Sequence, residues 1–395
     1  MIAIFLSPLY ILINILIFLV FLRWLCTLHS IFNFRISQVV LFALFMFNAL
    51  ALVIGFFMQE SPVKRILMRL GTQWIGILGI IVMVLIVVKI IYAIARRTPL
   101  RESVFFSVSG HRLIGTGVII LIFILVFIGS VHANALKVVH YTIETDKVLP
   151  GGSIKVALAA DWHLGYAVGE EQMGQMVDKI NAENVDLVCF AGDYFDNSYT
   201  AIENPEAIEE HLKTIKSTYG VYGCMGNHDI NEAILAGFTF KTDQEKTVDP
   251  NFETFLEASG IQILSDEKTI PVEGVVLVGR KDPERAEKMN TTRESAAEVL
   301  QGIDPEDYCI VLDHEPKELE ALADNGANLD LGGHVHDGQT FPGNILAHIV
   351  WENPLGVEKV EQMYSIVTAG VGTWGPKMRL GTDADLTIIE IQSTQ

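Results

Sequence analysis

Cysteine is scarce in this chain of 395 residues: Cys26, Cys189, Cys224 and Cys309 are the four, with no C-x-x-C or other paired spacing. That excludes a disulfide framework and a zinc knuckle; the four are read as small buried hydrophobes. Charge is missing altogether from four long stretches, residues 1–22, 36–59, 70–88 and 113–136. Acidic residues nearly vanish from the first 137 positions, where Glu60 and Glu102 stand against 11 Lys and Arg. Beyond that point bases are the scarce kind, 17 against 45 acids, so the two parts carry about +9 and −28. A shift this sharp marks two solvents, lipid and water. So acidic a domain repels nucleic acid, whose affinity depends on basic contacts to phosphate, and no nucleic-acid partner is expected.

The uncharged stretches match the roughly 20 apolar residues a helix needs to cross a bilayer core. Residues 1–137 are therefore expected to form four transmembrane helices of an integral, multi-pass membrane protein. The first stretch lacks a basic start and a small-residue cleavage pattern and exceeds the roughly 7–15 apolar residues of a signal peptide, so it reads as a retained anchor. The first and third connecting loops hold Arg23, Arg35, Lys89, Arg96, Arg97, Arg101 and Arg112, against Lys64, Arg65, Arg69 and Lys137 on the other side. Positive-inside bias then places those two loops in the cytoplasm and the acidic domain outside. No Asp, Glu, Lys or Arg lies in the middle of a span, which disfavours an ion or proton pathway. Asn14 and Asn48 are read as interhelical packing groups.

Residues 138–395 form the second domain, reached almost without a linker. Strand-like runs at 138–145, 154–160, 185–191, 220–225, 275–279 and 308–312 alternate with helix-like runs at 171–181, 205–216, 251–258, 294–301 and 317–325. Such alternation predicts an α/β domain with helices covering a sheet. The polar stretch 236–250 is read as a surface loop, with a lid over the site as the alternative.

Five motifs end strand-like runs of this domain: Asp161-Trp162-His163, Gly192-Asp193-Tyr194-Phe195-Asp196, Gly226-Asn227-His228-Asp229, Asp313-His314-Glu315 and Gly333-His334-Val335-His336. Loops at one sheet edge are where open α/β folds build sites. Five of the 11 histidines fall within the motifs, each beside a carboxylate, an amide or a glycine. Together the motifs supply enough nitrogen and oxygen donors to hold two divalent metals. Imidazole mixed with oxygen donors suits Mn, Fe, Zn or related ions better than Mg or Ca.

The ordered set resembles the calcineurin-like metallophosphoesterase superfamily, whose pattern is DxH, GDxxD, GNH(D/E), H and GHxH, over about residues 138–393. Leu312-Asp313-His314-Glu315-Pro316, the run from Gly333 to Gln339 and Gly372-Thr373-Trp374-Gly375-Pro376 resemble more narrowly the membrane-associated bacterial YkuE/YaeI-like branch. The resemblance implies an α/β fold, the αββα sandwich of that superfamily, preceded here by the four transmembrane helices. It implies that Asp161, His163 and His336 hold one metal, that Asn227, His314 and His334 hold the other, and that Asp193 bridges them. His228 matches the group next to the leaving-group oxygen, a general acid, and Asp196 the acid that orients it. Asp229, Trp162 and Tyr194 are read as braces of the metal loops, and Arg379 either as a phosphate contact or as a cap on the fold. Asp337 stands where the branch usually shows glycine and puts an extra carboxylate beside the site.

The function expected from chemistry and place together is metal-dependent hydrolysis of a phosphodiester or pyrophosphate in a lipid-linked or cell-envelope substrate. A UDP-diacylglucosamine-like pyrophosphate is one candidate that the branch suggests. Two other classes stay open: a metal-binding sensor or interaction protein without turnover, and a transport protein with a regulatory phosphoesterase domain. No protein partner can be inferred.

Overall fold

The computed structural model describes residues 2–196, 198–231, 234–235, 238–239 and 249–395. The chain divides into two compact units: residues 1–130 with 234–240, and residues 131–233 with 241–395.

The first unit carries α1 (Ile2–Leu28), α2 (Arg35–Phe56), α3 (Pro62–Ala95) and most of α4 (Val108–Asn134), all long and apolar enough to cross a membrane. Ser61 caps α3 by accepting from Lys64 N–H, with Pro62 at the first helical position, where a missing N–H costs nothing. A Cβ added at Gly71 of α3 would stand 2.1 Å from the backbone nitrogen of Leu52. The small residue therefore lets α2 and α3 approach closely. Asn14 on α1 is fully buried and accepts from Trp74 Nε1 of α3 at 3.0 Å, a packing bond between helices. A short antiparallel hairpin, β5 (Ile234–Leu235) with β6 (Phe238–Thr239), belongs to this unit. The loop expected at 236–250 lies, apart from β6 and residues 249–250, outside the described residues.

The second unit stacks two six-stranded sheets. The first contains β1 (Leu136–Thr145), β2 (Ser153–Ala159), β3 (Leu187–Ala191), β4 (Val221–Cys224), β7 (Gln262–Ile263) and β14 (Ala384–Ser393), in the order β1-β14-β2-β3-β4-β7. The second contains β8 (Glu267–Val272), β9 (Val275–Gly279), β10 (Tyr308–Leu312), β11 (Leu329–Gly332), β12 (Gly356–Val360) and β13 (Met363–Val367), in the order β12-β13-β11-β10-β9-β8. Strands β2, β3 and β4 run parallel, as do β9, β10, β11 and β13. In each set the C-terminal ends therefore share one edge.

Alternation along the strands builds the layers, because successive side chains point to opposite faces. Val156, Leu158, Leu187 and Cys189 of the first sheet meet Leu277, Ile310, Leu312 and Leu331 of the second in the central core. On the outer face of the first sheet, Ala157, Val188 and Phe190 are covered by α5 (Glu170–Glu183), α6 (Pro205–Leu212) and α7 (Pro250–Ala258). On the outer face of the second, Val276, Val278 and Val311 are covered by α9 (Ala296–Leu300) and α10 (Leu319–Asp324). Each fully buried aliphatic contributes about 1.5–3 kcal/mol. The result is an αββα sandwich.

Two short helices complete the unit: α8 (Pro283–Lys288), started by the Asp282 cap and Pro283, and α11 (Gly343–Val350). Helix α6 stops at Leu212, four residues short of the run expected to 216. Strands β5–β8 and β12–β14 and helices α8 and α11 are additions to the elements expected from the alternation.

Candidate metal centre

The five motifs leave β2, β3, β4, β10 and β11 at the shared edge, and their side chains turn inward through unusual backbone. Asp161, His163, Asp193, His334 and His336 all adopt positive φ, between 48° and 70°. For residues other than glycine this left-handed conformation costs about 1–2 kcal/mol each, and such strain concentrates where side chains must be aimed. Gly192 and Gly226 make the aiming feasible. A Cβ on Gly192 would stand 2.6 Å from Gly226 N, and one on Gly226 would stand 2.2 Å from Asp193 Oδ1.

Asp229 fastens the turn. Its buried carboxylate accepts from the N–H groups of Asp193 (3.0 Å), Tyr194 (2.8 Å), Phe195 (3.1 Å) and Gly226 (2.7 Å), locking two motif loops together. Trp162 and Tyr194 are fully buried with ring centroids 4.8 Å apart, and they brace the loops from beneath.

Donors converge above this floor at two places. His163 Nε2 and His336 Nε2 stand 2.9 Å apart, with Asp161 Oδ1 3.7 Å from the latter. On the other side His314 Nε2 lies 3.2 Å from Asn227 Oδ1, and His334 Nδ1 lies 3.2 Å from both. Asp193 Oδ2 sits between the clusters, 3.2 Å from His314 Nε2 and 3.8 Å from His163 Nε2. Its other oxygen accepts from His228 N–H at 2.8 Å. The seven residues expected to ligate are thus brought together.

Electrostatics suits cations at both places. Burial pushes His163 down to about 3 and holds His334 and His336 well below the usual imidazole range, helped by neighbouring imidazoles and by cationic side chains nearby. Neutral rings keep free lone pairs, and two ring nitrogens 2.9 Å apart aim them at one region. Against the effect of burial, His314 and His228 hold Asp193 well below the carboxylate range, so an anion stands between the clusters. His314 Nδ1–H donates to the Ala191 carbonyl at 2.6 Å, which fixes the ring with Nε2 toward Asp193 and Asn227; against burial, Asp193 raises His314 well above the usual imidazole range, so a metal there would displace the Nε2 proton. Imidazoles and carboxylates arranged this way fit two divalent ions, the first group around Asp161, His163 and His336, the second around Asp193, His314 and His334.

Beside the clusters, the rings of His163 and His228 stand 5.1 Å apart, and ligand atoms of His163, Asp196 and His228 fall within 4.8 Å of one another. Asp196 Oδ1 is 3.9 Å from His163 Nδ1, and burial raises Asp196 to about 6. His228 Nδ1 is buried without a hydrogen-bond partner among the described residues.

Residues 154–338 match the calcineurin-like phosphoesterase family. That segment is a calcineurin-like phosphoesterase domain. A metallophosphoesterase of Aquifex aeolicus is 28% identical over 275 residues, covering 68% of this chain and 98% of the relative. A bovine transmembrane protein with a metallophosphoesterase domain is 29% identical over 252 residues, 61% of this chain. The match spans about half of the bovine relative's length, 53%. The metallophosphoesterase YkuE of Bacillus subtilis is 24% identical over 281 residues, covering 66% of this chain and 87% of YkuE. Metallophosphoesterases of this family use a dinuclear divalent metal centre, which the clustered donors here match.

Within this metallophosphoesterase Arg379 caps the fold and does not face outward. It is fully buried and donates to the carbonyls of His336, Ala369, Gly370, Gly372 and Asp383 at 2.6–3.2 Å. Asp337 is half-buried and faces His348, at 3.8 Å, outside both donor groups. Asp313 turns away from the centre to a guanidinium pair: Arg280 donates at 2.9 Å and Arg293 at 2.9 and 2.6 Å. Sequence reasoning missed Arg280, Arg293 and Glu284. Glu284 accepts from Asn227 Nδ2 at 3.1 Å, which orients Oδ1 toward the histidines. Its one sequence signal was the Asp282-Pro283 helix start directly before it.

Proposed function

We propose that this chain is a membrane-anchored dinuclear phosphoesterase that cleaves a phosphodiester or pyrophosphate bond in a lipid-linked or cell-envelope substrate. Residues 1–137 anchor it and residues 138–395 carry the chemistry. The observation that carries the reading is the position of Asp193 Oδ2 between two histidine clusters, 3.2 Å from His314 and 3.8 Å from His163. On this reading Asp161, His163 and His336 would hold one ion and Asn227, His314 and His334 the other, with Asp193 the carboxylate that would serve both. Two such ions, when bound, polarise phosphoryl oxygens and generate a nucleophile from water near neutral pH.

The protein's own groups do the rest. Asp193 Oδ1 anchors the backbone of His228, so the acid's position is tied to the bridging carboxylate. His228 would give its proton to the departing oxygen, with Asp196, within 4.8 Å, as the acid that orients it. Buried His163 and His336 remain neutral and exclude a competing proton from the ligand set. The basic first and third loops support a cytoplasmic placement of those loops and an extracytoplasmic catalytic domain. That side favours phospholipid or envelope phosphodiesters over a cytoplasmic nucleotide-lipid such as UDP-diacylglucosamine.

The test is hydrolysis of bis-p-nitrophenyl phosphate, p-nitrophenyl phosphate and a nucleotide-lipid pyrophosphate by the full chain in detergent, with Mn added or chelated. Turnover that needs Mn and disappears in Asp193→Asn is expected, and the preferred compound names the bond class. Bound metal without turnover on any of the three would sink the catalytic reading in favour of a sensor.

A further inference from the structure

Helix α11 presents an apolar face to solvent at the rim of the metal centre. Ile345 and Leu346 are 51% and 59% exposed, and Ile349 and Val350 are 74% and 73% exposed, while Ala347 alone in the helix is buried. The pairs 345/349 and 346/350 are four apart, so they form two adjacent rows and one continuous convex face. Phe341 precedes it, half exposed. Residues 338–351 contain no Asp, Glu, Lys or Arg, inside a domain with 45 acids among its residues. Scattered exposed aliphatics are ordinary, but a clustered patch of them marks an interaction surface.

The face is rigidly set on the centre. The helix follows the turn His336–Gly338, and the Trp351 ring at its end packs against the His334 ring, centroids 4.7 Å apart. Lys317 Nζ covers the other side of that indole at 4.9 Å. Gln339, at the start of the connection, exchanges hydrogen bonds with the backbone of Trp374 at 2.8 and 2.9 Å, and Trp374 is itself 40% exposed. Aromatic rings at the ends of an aliphatic face are the composition of a bilayer interface, where indoles sit at headgroup level. The chain also places this domain at a bilayer: α4, long and apolar enough to span, ends at Asn134, and β1 begins at Leu136.

We propose that the α11 face docks on the bilayer that holds the chain's own helices, with Phe341, Ile345, Leu346, Ile349 and Val350 entering the acyl region and the metal centre held at headgroup level. Contact is apolar, because the helix has no Lys or Arg to seek anionic headgroups; its one imidazole, His348, faces Asp337 at 3.8 Å. The inference goes beyond the proposed reaction: it concerns where the centre sits and stands whatever bond is cleaved.

The full chain carrying Cys26→Ser and Ile349→Cys, labelled with an environment-sensitive fluorophore and reconstituted in zwitterionic nanodiscs, reads the contact directly. Blue-shifted emission, quenched by lipids with a nitroxide on the acyl chain and unchanged by salt, is expected. Water-like emission indifferent to those lipids overturns the proposal, and so does quenching that instead depends on protein copies per disc, which assigns the face to a second copy. Ile345→Lys with Ile349→Lys provides a second reading. It should lower hydrolysis of a bilayer-resident phosphodiester at least about tenfold while bis-p-nitrophenyl phosphate turnover stays within about twofold. Equal losses on both substrates would overturn it. Should neither phosphoester be cleaved by the wild type, the reaction reading fails while the quenching result still decides this one.

Discussion

At the residue scale, the centre depends on side chains that never touch a metal. Asn227 is an amide with two nearly equivalent ends, and only the oxygen end serves a cation. Glu284, accepting from Nδ2, settles which end faces inward. Loss of such an orienting partner typically costs 10–100-fold in metal affinity. Glu284→Ala should therefore weaken Mn binding about tenfold, with Glu284→Gln largely restoring it, since its amide oxygen still accepts from Asn227. Titration of the metal into the chelator-treated chain reads this, and equal affinity in all three proteins would remove Glu284 from the argument. Gly226 makes a different demand. A methyl there lies 2.2 Å from Asp193 Oδ1, so Gly226→Ala must displace the Asp193 carboxylate. Metal-dependent turnover should drop at least about a hundredfold, while circular dichroism shows the sheets intact. Activity within a few-fold of wild type would mean that Asp193 does not have to stay where it is.

At the scale of elements, legibility followed chemistry and periodicity. Strands β2, β3, β10 and β11 were readable because an apolar run ends abruptly in Asp, Gly or His, and that change of composition locates both the strand and the motif after it. The positive φ at five of the motif residues was not readable, because nothing in Asp161 or His334 announces a left-handed backbone that the neighbouring loops impose. Strands β12–β14 escaped because they carry no motif, and the pairing of β14 between β1 and β2 joins residues more than 200 positions apart. Helix α11 escaped for the opposite reason: its apolar exposed face reads like a buried strand. One buried strand residue carries a pH dependence of its own. Asp330 on β11 accepts from Ser365 Oγ at 2.9 Å, its other oxygen has no partner among the described residues, and burial beside Asp313 raises it to about 8 from an ordinary 3.8. The folded chain then keeps a proton that the unfolded chain releases above about pH 4. Stability from this group is full below that point, falls by up to about 1.4 kcal/mol per pH unit, and levels off above about pH 8. Asp330→Asn imitates the protonated form and should gain on wild type steadily across that window. Parallel thermal-unfolding profiles of the two proteins against pH would exclude the assignment.

For the whole molecule, the two units differ in composition, one of long apolar helices and one a sandwich carrying the donor clusters, and should respond differently to loss of metal. The first unit holds itself by helix packing, with Trp74 to Asn14 and the Gly71 contact as internal fixtures. The second gathers Asp161, Asp193 and four histidines at one edge with five residues in left-handed backbone, so part of its folding free energy is spent on a site whose like-charged groups repel until cations arrive. A ligand that binds only the folded state adds RT ln(1 + [L]/Kd), about 2.7 kcal/mol at a hundredfold excess over Kd. Chelation should thus lower the unfolding temperature of the catalytic unit and leave the helical unit's transition in place, giving two separated steps where the metal-loaded protein shows closer ones. Scanning calorimetry of the chain in detergent, with Mn and with chelator, distinguishes them. Asp193→Asn should sit near the chelated position in both buffers, because the carboxylate between the clusters is gone. If Mn stabilised that variant as much as wild type, the two clusters would be binding ions independently, and the shared centre on which the proposed chemistry rests would have to be given up.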